Sequence, residues 1–115
     1  MIFSKQLYVG AIASKRIGKI KWKLRHGAGM AGTYCITLPS HGSDLLEIYH
    51  SGVLKQSYFK DYPPEVVGLA WGYWEALTVV QEILKDVQAS TGSFDVRNYF
   101  AEEKGKRSRV RVCAG

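Results

Sequence analysis

Val66-Val67-Gly68-Leu69-Ala70-Trp71, closed by Gly72 and followed by the long stretch Tyr73 to Ser90, decides the fold. The run has no polar side chain and follows the breaker Pro63-Pro64. Its length and its bounds predict a strand buried on both faces. After Gly72 the period changes. Leu77, Val80, Leu84 and Val87 form a helical seam, widened by Ala76 and Ile83. Glu75 suits the positive end of that helix, and Gly92 is placed to stop it. The centre of the chain is therefore a strand running directly into the protein's best helix.

Working upstream, Leu45 to Tyr49 fits either a helix capped by Ser43 or, the preferred reading, a strand that closes a hairpin with Thr33 to Leu38 through the turn chemistry of Ser40-His41-Gly42-Ser43-Asp44. A short helix is expected over Val53 to Phe59. Nearer the start, Lys5 to Val9 is a strand, and Ile12 to His26 is one helix with Ala13, Ile17, Ile20 and Leu24 on its apolar stripe. Downstream, Asp95 to Phe100 fits a last edge strand or a short helix. Residues 1–100 then form a single α/β-type domain, and 101–115 a solvated basic C-terminal tail. The economical architecture is α+β: a four-stranded mixed sheet carrying two main helices, with a ferredoxin-like arrangement as the nearest pattern.

The composition bounds the function. At 115 residues and 46% hydrophobic content the chain is one self-sufficient domain rather than a disordered segment. It has no apolar run long enough for a membrane span. Its first residues lack the order of a signal peptide, and its two cysteines, Cys35 and Cys113, show no disulfide or zinc spacing. These features give a cytoplasmic, reduced protein with no membrane partner. Net charge is +6, unevenly spread. Residues 1–26 hold seven cations and no acid, residues 27–103 four cations and ten acids, and residues 104–115 five cations and no acid. Basic ends on an acidic body point to a polyanion contact, or to pairing between ends and body within or between chains.

The motifs are sparse. Gly27-x-Gly29-x-x-Gly32 has dinucleotide-type glycine spacing, but it follows a helix and precedes a strand. That order is the reverse of what a pyrophosphate site needs, so the glycines read as a turn. His41, Asp44, Glu47 and His50 recur at threes, and Glu47-x-x-His50 is half of a di-metal pattern. No second Glu-x-x-His exists, so the segment reads as a polar hairpin edge. Cys35 falls inside a strand, where burial makes a thiol inert. Ser40 and Ser51 have no discernible base. No cofactor is implied, and the chain reads as non-catalytic. The aromatics Trp71, Tyr73 and Trp74 at the strand-to-helix junction read as core and rim packing.

One feature stands out. On a wheel of 100° per residue, the apolar stripe of 12–26 leaves Trp22 on the opposite side. Lys15, Lys19, Arg25 and His26 flank it there. Aromatics among cations stack on unpaired bases while the cations neutralise phosphates. The tail residues Lys106, Arg107 and Arg109 add to the same footprint. The expected function is a non-catalytic binding protein that contacts nucleic acid through Lys15, Lys19, Trp22, Lys23 and Arg25. The alternative is a protein-interaction or regulatory subunit, such as a homo-oligomer, with Trp22 as interface anchor.

From Val66 through Gly72-Tyr73-x-Glu75-Ala76-Leu77 to Thr91-Gly92 and Asp95-Val96-Arg97-x-Tyr99, the chain resembles small uncharacterised proteins of Gram-positive bacteria. The similarity covers about the C-terminal half. It implies a βα unit and carries no activity, so it assigns no functional residue.

Overall fold

A computed structural model describes residues 2–26, 32–39, 45–53, 61–102 and 105–113. The elements, in chain order, are β1 (Ile2–Gly10), α1 (Ala11–Ser14), α2 (Ile17–Arg25), β2 (Thr33–Thr37), β3 (Glu47–His50), β4 (Glu65–Trp71), α3 (Tyr73–Thr91), α4 (Val96–Glu102) and β5 (Arg109–Cys113). The glycine and hairpin residues 27–31 and 40–44, and most of the helix expected over 53–59, lie outside the described residues.

The domain is α+β with a five-stranded mixed sheet in the order β3-β2-β4-β1-β5. β4, β1 and β5 run parallel. β2 is antiparallel to both β3 and β4, so the expected hairpin is present. β4 is buried along five consecutive residues, Val66 to Ala70. Its side chains serve two cores, with an irregularity in the register between Val66 and Gly68. Val67 and Ala70 meet Ala76, Val79, Ile83 and Val87 of α3 on one face. Val66 and Leu69 meet Ala13, Ile20 and Leu24 on the other. With period two, a strand between two helical layers must be apolar throughout, which is what the decisive run encodes.

Several expectations are corrected. The sheet has five strands, not four, and helices cover both of its faces, which departs from the ferredoxin-like arrangement. The fifth strand comes from the supposed tail: Gln6 to Gly10 pair with Arg109 to Cys113, and Cys113 is buried. Of the two readings of 95–100, the short helix is the one present, over Val96–Glu102. The single helix over 12–26 is two, interrupted at Lys15 and Arg16. Each half answers to a different anchor. α1 is held at its start by the Glu75 carboxylate, which accepts from the amides of Ile12 (2.8 Å), Ala13 (3.1 Å) and Trp71 (2.9 Å). α2 instead turns Ile20 and Leu24 onto the sheet. A Cβ at Gly10 would overlap that carboxylate, so glycine is required there by close approach.

The seam of α3 is also rotated from its expected centre. Ala76, Val79, Ile83 and Val87 are fully buried, while Leu77, Val80 and Leu84 are half-buried. Gly68 explains the shift: a Cβ there would lie 2.9 Å from Val79 Cγ1, so the missing side chain is the socket that receives Val79. Gly92 stops α3 with φ at 75°, as its position predicted.

Candidate nucleic-acid interface

α2 buries only Ile20 and Leu24 completely. With those two against the sheet, the helical period forces Trp22 outward, and its side chain is 59% exposed. The indole does not hang free. It stacks on His26, with ring centroids 4.2 Å apart and planes 27° from parallel. The His26 Nδ1–H donates to the Trp22 carbonyl at 2.7 Å, which caps the helix end and fixes the imidazole beneath the indole.

Cations flank this pair on both sides. Lys19 and Lys23 lie on one side, Lys21 and Arg25 on the other; Lys19 and Arg25 are exposed and the other two half-buried. Lys15 is exposed but sits in the turn before α2, outside the helix that carries Trp22. Lys21 and Arg25 converge on one ring. The Lys21 ammonium is 5.4 Å and the Arg25 guanidinium 5.1 Å from the centroid of Phe3. Burial, reinforced by the neighbouring Arg25 charge, lowers the Lys21 pKa below the usual lysine value. Among the described residues no ion pair joins either group to a carboxylate.

Phe3 floors a groove of about 450 Å³ between α2 and the sheet edge. Phe3, Lys5 and Leu7 come from β1, Lys21 and Arg25 from α2, and the opposite wall from Ser108, Arg109 and Val110. The two basic ends of the sequence thus meet in space, and among the described residues the lining contains no acid. Their side chains divide by strand parity, however. Arg109 pairs in register with Gln6 and donates to its Oε1 at 2.6 Å, which turns the guanidinium to the α3 face. Arg109 therefore borders the groove while its charge points away. Lys106 and Arg107 are exposed just ahead of β5. The sequence reading named Arg25 and Arg109 at this place and missed Phe3, Lys5 and Lys21. The signal for Lys21 was its i, i+4 spacing from Arg25, which puts both on one helix face.

The other reactive groups are structural. Cys35 lies wholly inside the sheet, and burial pushes its thiol up to about 12. Burial likewise pushes Cys113 up to about 11. Glu47 and His50 fall on opposite faces of β3: Glu47 accepts from the Tyr49 hydroxyl, and His50 takes the edge of Tyr34 and accepts from the Gly52 amide at 3.1 Å. His41 and Asp44 lie outside the described residues. On the α3 side, the Tyr8 hydroxyl joins Asp86 (2.7 Å) and Tyr99 (2.8 Å), and receives the Gln6 amide at 3.0 Å. Arg111 closes this network by pairing with Asp86 and Glu82. One aromatic expectation fails: Trp74 is 82% exposed rather than packed, because the rotation of α3 aims it at solvent beside Ile12.

No family model, curated protein or solved structure matches the chain. The candidate interface therefore rests on its own geometry: an outward indole on a helix whose cations pair with no acid among the described residues.

Proposed function

We propose that the chain is a non-catalytic binding module that contacts single-stranded nucleic acid through the exposed face of α2. The observation that carries this is Trp22, 59% exposed and stacked on His26. It lies between Lys19 and Lys23 on one side and Lys21 and Arg25 on the other. An indole offers a π-face that any base can use, and base stacking contributes about 1–3 kcal/mol per base. The cations supply sequence-independent attraction to phosphates. Lys106 and Arg107, ahead of β5, extend the same field. The two unpaired thiols suit a reducing, cytoplasmic setting.

The test is a titration of a single-stranded oligonucleotide of about ten residues, as DNA and as RNA, at about 50 mM and about 200 mM salt. Affinity is expected to fall steeply with salt, and Trp22→Ala is expected to weaken binding by roughly 5- to 150-fold. No salt-dependent binding at tens of micromolar would discard the reading.

Trp74 favours a second reading. It is 82% exposed and, with the 53% exposed Ile12, borders an apolar hollow of about 240 Å³. A bare tryptophan of this kind is a common interface anchor, and a second copy of the chain is the partner in this reading. Light scattering decides it: a dimer that Trp74→Ala dissolves supports it, and a strict monomer removes it.

A further inference from the structure

We infer that the groove floored by Phe3 is a discrete phosphate subsite, in which Lys5, Lys21 and Arg25 hold one phosphate group of the bound ligand. The inference deepens the nucleic-acid reading and rests on it for the source of that phosphate. The groove is concave, and its volume of about 450 Å³ lies within the range of small-ligand sites. Four cations line it, Lys5, Lys21, Arg25 and Arg109, of which Arg109 is turned to Gln6, and among the described residues no carboxylate does.

Lys21 and Arg25 are one helical turn apart and bear like charge, an arrangement that disfavours an isolated helix. Both are drawn over the face of Phe3, where a ring quadrupole attracts them without neutralising them. The depressed Lys21 pKa is the same repulsion and burial seen from the ammonium's side. A phosphate between the two relieves both, because the guanidinium offers a planar fork to two oxygens and the ammonium a point charge to a third. Lys5, on the strand opposite, completes the enclosure.

The subsite is continuous with Trp22. At 100° per residue, Arg25 lies about 60° round the helix from Trp22, and Lys21 about 40° further on. A base stacked on the indole therefore has its own or its neighbour's phosphate over Arg25, at the groove mouth. The other large hollow is lined by Glu47, Asp61 and Glu65 beside Arg97, and three carboxylates there would repel a phosphate.

The test uses inorganic pyrophosphate and, separately, the oligonucleotide, each titrated into the full chain and followed by amide NMR shifts. Pyrophosphate is expected to bind saturably and to shift residues 3–5, 21–25 and 108–110. Lys21→Gln and Arg25→Gln should each weaken it by about tenfold or more, while Trp22→Ala leaves pyrophosphate affinity unchanged within about twofold and weakens only the oligonucleotide. All three side chains are at least partly exposed, and circular dichroism verifies that the variants fold. Pyrophosphate binding that ignores Lys21→Gln and Arg25→Gln, or no saturation at all, overturns the subsite. If the oligonucleotide still binds in that case, the nucleic-acid reading survives alone. If pyrophosphate binds as expected and no oligonucleotide does, the subsite stands, its ligand is a small phosphorylated compound, and the nucleic-acid reading falls.

Discussion

α2 and α3 pack on opposite faces of one sheet, and they treat charge in opposite ways. α3 buries four residues completely and places its acids in partnerships. Glu75 clamps three backbone amides of other elements. Glu82 and Asp86 hold Arg111 of β5, and Asp86 also accepts from Tyr8. α2 buries two residues and carries four cations and a tryptophan, and none of these cations is ion-paired to a carboxylate among the described residues. Charge that the fold needs is paired within it. Charge that is clustered, unpaired and beside an exposed ring is left for something outside it.

The comparison breaks first at Glu75. Removing its carboxylate leaves three amides without their acceptor, so Glu75→Ala should destabilise the protein by about 2–4 kcal/mol in urea titrations. Gly10→Ala should act through the same contact, since its Cβ displaces that carboxylate. The double variant is then expected to cost little more than the worse single one. Full additivity would show that the clamp is not shared.

Next in size is Tyr8→Phe. It removes a hydroxyl placed between Asp86, Tyr99 and Gln6, and a loss of about 1–3 kcal/mol is expected by the same assay. Because that network ties β5 to the sheet, hydrogen exchange at Val110 and Val112 should accelerate more than at Val67 or Leu69.

The buried thiols sharpen the contrast by pH. Cys35 titrates at about 12 and Cys113 at about 11, against the ordinary 9.0. Each is an acid whose folded pKa is raised, so the unfolded chain binds fewer protons above pH 9. Stability contributed by the neutral thiols is full below about pH 9 and declines as pH rises towards 11 and 12. At about pH 8 a thiol reagent should label neither cysteine in the native protein and both in denaturant. Rapid native labelling would contradict their burial.

The smallest effect on stability is expected from Trp22→Ala. A 59% exposed side chain outside both cores should change unfolding free energy by no more than about 0.5 kcal/mol. A loss of several times that would mean the indole serves the fold, as the acids of α3 do.

What the sequence made legible follows from how local each signal was. The run Val66 to Trp71 and the helix after Gly72 were readable because burial on two faces and a helical seam are written in consecutive residues. Trp22 was readable because its direction depends only on Ile17, Ile20 and Leu24. β5 was not, since Arg109-Val110-Arg111-Val112 carries alternating charge and exposed valines, and its partners Gln6, Glu82 and Asp86 are distant in the chain. The split between α1 and α2 was hidden for the same reason: the carboxylate that anchors α1 is 62 residues from Ala13. The groove was the least legible feature, because it exists only once β1, α2 and β5 are assembled.

The contrast between the two helices is tested most directly by amide NMR shifts on adding single-stranded oligonucleotide. Perturbations at residues 19–26 and along the groove at 3–5 and 108–110, fading as salt is raised, with α3 silent, are what the clustered cations of α2 predict. Shifts confined to α3 or to the surroundings of Trp74, or a spectrum that does not move, would contradict it.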